Sequence, residues 1–570
     1  MKERVSIKFG GQSGQGINSL GKFVSKALKK LGYHTFAYRE YPSIIRGGYA
    51  SYQIDFSPSD VLSPTKKTNI LVCIAQEAVE KYLFTVKKNG VIFHSVKDVK
   101  LNENAKEYIE KNKIKIVYID TLAISEQQKA PKIMGNMVIL GSIWKILGLD
   151  IKELVKVVLQ YFAQKEGIDL EAEKRCLLAG YNLDEIKDDI LKGLPKAKDK
   201  KWGNSLVITG NQAIALGAIS AGCRAYYAYP MTPATSILEM LGSTYEKTGI
   251  LVKQAESEIT AVQMVMGSMY MGARAFTATS GGGFDLMTES ISCSSMTEIP
   301  LVIVLGQRAG PGTGVPTWTG SSDLNVALYS GHGEFPRCVI SASDACDSYT
   351  LIQDAFNISE TYQIPVILLT EKHIAESIFN LKSLPKPKEI KRGLVKNGKK
   401  RYEYTKSGIS PRWIPKEGTT TYLTNSDEHN QLGVSSEDET DIVNMSEKRM
   451  RKLISLKNHL PEPKYYGPKN PTVVFVGMGS CKNAVIDAMK QSKKRIGFLH
   501  YQYIYPLRAE KIIQFAKEKV KIVLIENNQS NGLGKLIKSE SNFYISNTIN
   551  KFDGRPFFVD DILEYLKQWK

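Results

Sequence analysis

Four polar or Gly/Pro-rich segments carry the side chains best suited to chemistry in this 570-residue sequence. They are Tyr229-Pro-Met-Thr-Pro233, Gln254-Ala-Glu-Ser-Glu258, Thr277-Ala-Thr-Ser-Gly-Gly-Gly283, and Gln307-Arg-Ala-Gly-Pro-Gly-Thr-Gly-Val-Pro-Thr317. Glu258 offers a carboxyl group that, in a dry cleft, is suited to proton exchange. Arg308 enters a loop with little bulk to screen it, where a guanidinium can grip a carboxylate with two parallel hydrogen bonds. Thr232 lies between Met231 and Pro233 and follows Pro230, so its hydroxyl sits on a restricted backbone. Each residue also has a plainer reading. Glu258 suits a first helical turn capped by Ser257, Arg308 a solvated surface, and Pro-Met-Thr-Pro a structural turn.

Each segment directly follows an apolar run: Arg224 to Ala228, Ile250 to Lys253, Arg274 to Thr277, and Pro300 to Gly306. These runs predict parallel strands, and ligands of open parallel sheets bind at the strands' carboxyl ends, so the four segments describe one site. The length implies several domains. The fold class expected is α/β, with three doubly wound units at 1–190, 205–375 and 471–570. A basic linker at 191–204 and an extended arm at 376–470, with one helix near 447–460, connect them. In the first unit, Val5 to Phe9 runs into Gly10-Gly-Gln-Ser-Gly-Gln-Gly16 and then a helix carrying Leu20, Val24 and Leu28. Strand, glycine turn and helix can cradle a phosphate, with Gly11, Gly14 and Gly16 the candidates. The spacing departs from G-x-G-x-x-G, so a tight turn without phosphate stays open. Arg46-Gly-Gly-Tyr49 reads as a loop.

The amino terminus is charged before any long apolar run, which excludes a signal peptide or an initial membrane span and points to the cytoplasm. The formal charge of +18 is spread over dispersed lysines without interleaved aromatics, the pattern of a solvated surface rather than of nucleic-acid or membrane binding. None of the seven cysteines pairs at metal-ligand or redox spacing. The chain is therefore expected to hold no metal or cluster of its own, and the odd cysteine count fits reduced thiols.

Taken in order, these motifs resemble those of the alpha subunits of the 2-oxoacid:ferredoxin oxidoreductases, enzymes dependent on thiamine diphosphate. Tyr229-Pro-Met-Thr-Pro233 is similar to the family's Tyr-Pro-Ile-Thr-Pro, with Met231 for isoleucine. The first domain resembles the family's gamma subunit, giving a fused gamma-alpha chain with a pyrimidine-binding domain and a transketolase C-terminal-like domain after it. Ser410-Pro-Arg412 and Ser426-Asp-Glu-His429 in the arm are similar to the linker of that subunit.

The resemblance implies that Glu258 protonates the aminopyrimidine ring of thiamine diphosphate, with Tyr229 and Pro230 beside the cofactor. It implies that Arg308 binds the substrate carboxylate and that Thr232 and Thr317 donate hydrogen bonds to the oxoacid. Coenzyme A accepts the acyl group, and electrons leave singly through iron-sulfur clusters to ferredoxin. The chain lacks the Gly-Asp-Gly segment that holds magnesium on the diphosphate, so a beta subunit is expected to bring that grip and a cluster in a hetero-oligomer. Trp318 stands where 2-oxoglutarate enzymes of this type often carry arginine. It offers an apolar face and one N–H but no cation, so monocarboxylic 2-oxoacids are expected to serve at least as well as 2-oxoglutarate. Competing with this are a nucleotide-binding (NAD or FAD) dehydrogenase built on Gly11 to Gly16 and a basic, non-catalytic binding protein. Neither explains the ordered motifs from Tyr229 to Thr317.

Overall fold

The computed structural model describes residues 4–43, 47–184, 186, 194, 196–197 and 199–568. The chain forms two compact units. The first comprises Met1–Ile208, Ser377–Ser383 and Phe558–Lys570, and the second comprises Thr209–Glu376 and Leu384–Phe557.

The first unit is built on an eight-stranded sheet. Val5–Ser13 pairs in parallel with Thr68–Cys73, which continues in parallel to Val86–His94 and Lys115–Tyr118. On its other side Val5–Ser13 pairs antiparallel with Gly47–Ser57, and His34–Glu40 pairs antiparallel with that strand in turn. The sheet is thus mixed rather than wholly parallel. Gly47 to Tyr49, expected in a loop, open the Gly47–Ser57 strand, while Arg46 lies outside the described residues. The strand carries period-two alternation, with Tyr52, Ile54 and Phe56 on one side and Ser51, Gln53 and Asp55 on the other, and all six are buried. Its polar side survives burial because Asp55 accepts from Thr65 Oγ1 at 2.8 Å and pairs with Arg4 at 3.2 Å. The helix Ile17–Lys30 packs through Leu20, Val24 and Leu28 as the sequence pattern predicts. Of the expected linker, residues 191–193, 195 and 198 lie outside the described residues, and Lys200–Asn204 forms a single 3-10 turn.

The second unit holds two sheets. The seven-stranded one runs, edge to edge, through Tyr503–Tyr505, Cys338–Ser341, Pro365–Glu371, Leu301–Gln307, Ala275–Thr279, Ala225–Ala228 and Leu251–Gln254. All its pairs are parallel except the one made by Tyr503–Tyr505. Leu301–Gln307 and Pro365–Glu371 are buried along their whole length, which explains why they read as continuous apolar runs rather than alternating ones. Strand order reverses at Ala225–Ala228, whose chain successor lies on one side while Ala275–Thr279 lies on the other. That reversal opens the crevice in which open parallel sheets bind ligands. The five-stranded sheet, ordered Lys464–Tyr466, Ile496–His500, Val473–Gly477, Lys521–Glu526 and Asn547–Asn550, completes the unit.

The segment expected as an arm from residue 376 begins with a strand, Ile378–Leu381, that pairs with His34–Glu40 of the first sheet. Beyond it the chain has little regular structure until the helix Glu439–His459, which starts eight residues before the expected position. Ile442 and Val443 near its start are exposed, at 41% and 55%, and the first buried apolar residue comes only at Met445, so hydrophobic periodicity does not mark the start. The start is marked instead by Asp438, which accepts from the backbone N–H groups of Thr440 and Asp441. Two buried carboxylates anchor this part of the chain. Glu360 is met by Arg274 at 2.6 Å, Arg392 at 2.9 Å and Arg412 at 2.9 Å, and Glu298 by Lys448 and Lys452 at 2.5 Å each. Burial alone would raise the Glu298 carboxyl, but the surrounding Lys448, Lys452 and Arg401 hold it well below the usual range.

Removing one partner of such a cluster leaves buried charge uncompensated. Glu298→Ala is therefore expected to cost about 3–5 kcal/mol, read as a lower urea midpoint. Glu256→Ala, at an exposed site in the same unit, should leave the midpoint nearly unchanged. Equal midpoints for the two variants would show that the cluster does not anchor the arm.

Candidate active site

Glu258 is the first residue of the helix Glu258–Tyr270, which follows the Leu251–Gln254 strand. Ser257 caps that helix, its hydroxyl accepting from the Thr260 N–H at 3.3 Å, which fixes where the helix begins and so where the Glu258 side chain emerges. The residue is 4% exposed, and its Oε1 has no hydrogen-bond partner among the described residues. A first-turn acid that merely complements the helix dipole would sit in water, as its neighbour Glu256 does. Glu256 is exposed and accepts from Thr260 Oγ1 at 2.6 Å, a bond that holds its carboxyl below the usual range. Gly283 closes the other side of Glu258. A Cβ built there would overlap both Thr279 Oγ1 and Glu258 Oε1, so the glycine is what leaves the carboxylate its space.

The Tyr229 to Pro233 turn meets the ends of the neighbouring strands. Pro233 lies 3.1 Å from where a Cβ on Gly306 would stand, and Met231 Sδ lies 3.8 Å from Thr279 Oγ1. Arg308, half-buried at the end of Leu301–Gln307, donates through Nη1 to the Thr232 carbonyl at 2.8 Å. Glu258, Thr279, Thr232 and Arg308 are thereby brought to one crevice from four strand ends. Tyr229 remains 41% exposed, and Pro230 is half-buried beside it.

The far end of the Arg308 loop folds back as a hairpin, closed by a bridge between Ala309 and Val315. Thr317 is buried, and the Trp318 carbonyl accepts from the Ala309 N–H at 3.4 Å. The Trp318 ring carries the Arg555 guanidinium on its face, 3.4 Å from the ring centroid. Trp318 itself brings no cation to this end of the loop, but Arg555 stands against its face. Arg555 lies 237 positions along the chain, where no local pattern connects it to Trp318.

Two further residues were missed in the sequence. Asn211, fully buried, donates through Nδ2 to the Pro233 carbonyl at 2.7 Å and to Ser236 Oγ at 2.8 Å, holding the turn that carries Thr232. Its only local signal is its place just after a strand, at the head of a helix. Asp323 donates its N–H to Gln307 Oε1 at 3.0 Å, and its Oδ2 lies 3.2 Å from the Cβ position over Gly281. Burial pushes the Asp323 carboxyl up to about 6, with Ser322 and Arg308 opposing and Asp285 reinforcing. The same burial lowers Arg308, which Asp323 partly restores.

The glycines of the first unit divide by conformation. Gly11 lies inside the Val5–Ser13 strand, and a Cβ there would crowd Ile74, so its smallness serves packing. Gly14 and Gly16 take φ of 94° and 82°, a region that favours glycine. Gly16 leads into a helix that no side chain caps, beside a cavity of about 380 Å³. Among the described residues no group of three or more His, Cys, Asp or Glu is placed to hold a metal ion, and no helix is long and apolar enough to cross a membrane.

Residues 216–450 match the family described as pyruvate flavodoxin/ferredoxin oxidoreductase, thiamine diphosphate-binding, and residues 6–183 match pyruvate ferredoxin/flavodoxin oxidoreductase. A 2-oxoacid:ferredoxin oxidoreductase subunit alpha from Sulfolobus is 30% identical over 99% of this chain and 96% of its own. The chain belongs to the alpha subunits of the 2-oxoacid:ferredoxin oxidoreductases. Another relative of this alpha subunit, the 2-oxoglutarate oxidoreductase subunit KorA of Mycobacterium tuberculosis, is 27% identical over 99% of this chain and 91% of its own. The solved 2-oxoglutarate:ferredoxin oxidoreductase from Magnetococcus marinus, with 2-oxoglutarate, coenzyme A and succinyl-CoA bound, superposes with a TM-score of 0.90 at 26% identity, each chain covered completely.

The space that Gly283 leaves beside Glu258 gives a direct test on this alpha subunit. Gly283→Ala should displace the carboxylate and cost roughly 10- to 100-fold in turnover, within the range for a misplaced catalytic group. Circular dichroism should be unchanged. Turnover within twofold of wild type would show that the side chain has room elsewhere.

Proposed function

We propose that this alpha subunit, with a separate beta subunit, oxidatively decarboxylates a 2-oxoacid to an acyl-CoA and CO2, passing electrons one at a time to ferredoxin. The observation that carries the assignment of roles is the buried Glu258 carboxylate, whose Oε1 has no hydrogen-bond partner among the described residues while its neighbours leave it room. A buried acceptor left unsatisfied costs about 1–3 kcal/mol, so the arrangement fits a group that an incoming ring nitrogen completes. That donor chemistry fits thiamine diphosphate, which when bound supplies the nucleophilic carbon and the electron sink for decarboxylation.

Glu258 holds and releases the proton at Oε1. Arg308, with one N–H on the Thr232 carbonyl, keeps further donors for the substrate carboxylate and orients it. Thr232 and Thr317 donate to the oxoacid, Tyr229 and Pro230 line the cofactor, and Trp318 bounds the substrate with its ring. Gly14 and Gly16 present an uncapped helix end suited to the phosphates of coenzyme A. Gly11 supports that turn from within the strand.

The site is open in a manner that suits a second chain. Tyr229 and Val315, within two of the four motifs, and Ile259 and Leu286, one and three residues beyond the other two, are 41%, 47%, 51% and 52% exposed. Large apolar side chains gathered at a catalytic crevice fit a surface covered on assembly. The beta subunit is assigned the magnesium, the diphosphate grip and an iron-sulfur cluster, because Gly-Asp-Gly and cluster-spaced cysteines are absent from this sequence. A cytoplasmic location follows from the ferredoxin partner and the free cysteines.

Glu258→Gln keeps the size of the side chain and removes its acid. It is expected to lower turnover roughly 100- to 10,000-fold while complex assembly is retained. Turnover within a few-fold of wild type would make Glu258 a structural carboxylate. Arg308→Ala is expected to weaken every 2-oxoacid by about 2–5 kcal/mol, read in KM and in substrate binding. If the alpha subunit purified alone reduces a one-electron dye at full rate, the half-site assignment fails.

A further inference from the structure

Asn211 is fully buried in the first turn of the helix Gly210–Ser220, although an asparagine at a helix start ordinarily faces water or turns back on its own backbone. That backbone is served without it. Thr209 Oγ1 accepts from the Gln212 N–H at 3.2 Å, and Gln212 Oε1 accepts from the Thr209 N–H at 3.0 Å. The turn also lies hard against the chain at Ile374, whose carbonyl a Cβ on Gly210 would overlap, so Asn211 has little freedom to shift. Both amide hydrogens leave the helix, one for the Pro233 carbonyl at 2.7 Å and the other for Ser236 Oγ at 2.8 Å. A carbonyl can only accept, so the amide nitrogen faces Pro233, and Asn211 Oδ1 is left buried with no hydrogen-bond partner among the described residues. An amide that leaves its own acceptor unsatisfied is a poor device for stability, so the property the site uses is its donor.

Two successive carbonyls of the Tyr229 to Pro233 turn are thereby gripped from different elements. The Thr232 carbonyl accepts from Arg308 Nη1 at 2.8 Å and the Pro233 carbonyl from Asn211, while the Pro233 ring lies 3.1 Å from the Cβ position of Gly306, two residues before Arg308. The Ala234 N–H closes the turn on the Met231 carbonyl at 2.7 Å. We propose that Asn211 is a positioning residue for substrate binding: by holding the Pro233 carbonyl from the buried side it fixes the direction of the Thr232 carbonyl, on which Arg308, read as the holder of the substrate carboxylate, is anchored. A turn released at Pro233 lets the Thr232 carbonyl swing. Arg308 then loses a fixed acceptor and spreads over several rotamers, only some of which meet the carboxylate in register. Glu258 stands at the end of a different strand, on a helix with its own cap, so the proton exchange assigned to it is left in place. The loss should fall on substrate affinity and not on turnover at saturation.

The test uses the assembled enzyme, with the faster of pyruvate and 2-oxoglutarate in steady-state kinetics and oxamate as a non-reacting probe in calorimetry. Asn211→Leu fills the space without a donor. It should raise the KM and the oxamate Kd roughly tenfold, the scale of one buried acceptor left without its donor, with kcat within about threefold of wild type and circular dichroism unchanged. Asn211→Ala removes the same donor without adding bulk and should give the same split if leucine crowds the helix. Ser236→Ala takes away only the other acceptor and should leave KM within about twofold. Adding Asn211→Leu to Arg308→Ala should lower kcat/KM by less than about threefold further, because the group it positions is already gone. Unchanged KM in both Asn211 variants, a loss confined to kcat, or effects of Asn211→Leu and Arg308→Ala that add in full would each overturn the proposal. Arg308→Ala separates the two layers. If it leaves oxamate binding intact, the reading of Arg308 fails. If it abolishes binding while both Asn211 variants match wild type, only the role of Asn211 fails.

Discussion

The structure depends on keeping one carboxylate oxygen, Glu258 Oε1, buried and without a partner. A free side chain in that state would rotate to water or recruit a neighbouring donor, so it persists only where the surroundings leave no alternative. Here the helix start is pinned by Ser257, Gly283 provides a space that no larger residue could leave, and Thr279 closes the wall from the end of a fully buried strand. The energetic cost of this local arrangement is offset by the parallel sheet behind it, whose central strands expose almost nothing to solvent.

The same logic recurs at a larger scale. Glu360 and Glu298 are buried charges that a scaffold without cations could not tolerate, and the compensating groups come from far along the chain: Arg274 at the entry to the Ala275–Thr279 strand, Arg392 and Arg412 from the irregular segment, Lys448 and Lys452 from the helix after it. Because each carboxylate has several cations around it, the segment from Leu384 to His459 is held in place with little regular hydrogen-bonding of its own. Buried pairs of this kind specify geometry more reliably than they add stability, since desolvation consumes much of the attraction. The strand that ends at Thr279 and the helix that carries Glu360 are thereby fixed relative to one another, and the crevice keeps its shape.

The Arg308 end of the crevice rests on a different balance. Arg308 is half-buried, anchored at one corner by a backbone carbonyl and opposed by the nearby Asp323, so its charge is neither fully solvated nor fully spent on a partner. A guanidinium in that intermediate state can exchange water for an incoming anion without first breaking a strong ion pair. Trp318 with Arg555 stacked on it gives the opposite end of the loop an aromatic wall backed by a cation, in place of the purely apolar wall that residue 318 suggests by itself.

Local pattern in the sequence was sufficient for the parallel strands of the second unit and for the polar segments at their carboxyl ends that carry Glu258 and Arg308, because apolar runs, caps and glycine-rich turns act over a few residues. Family membership was equally legible, from rare motifs recurring in order. The structure alone decided what depends on distant residues meeting. The strand Gly47–Ser57 alternates as a half-exposed strand would, and only the fold shows that its polar side is buried too, satisfied by Arg4 and Thr65, and that it runs antiparallel within the sheet. Ile378–Leu381 lies in the segment expected as an arm and takes its strand form from pairing with His34–Glu40, over 300 residues earlier in the chain. Asn211, Asp323 and Arg555 enter the crevice or its border through contacts that no spacing rule encodes, and Gly11 sits in a strand although it belongs to a glycine-rich signature. Side-chain chemistry is written residue by residue, whereas burial and the field around a charge arise only when the chain folds back on itself.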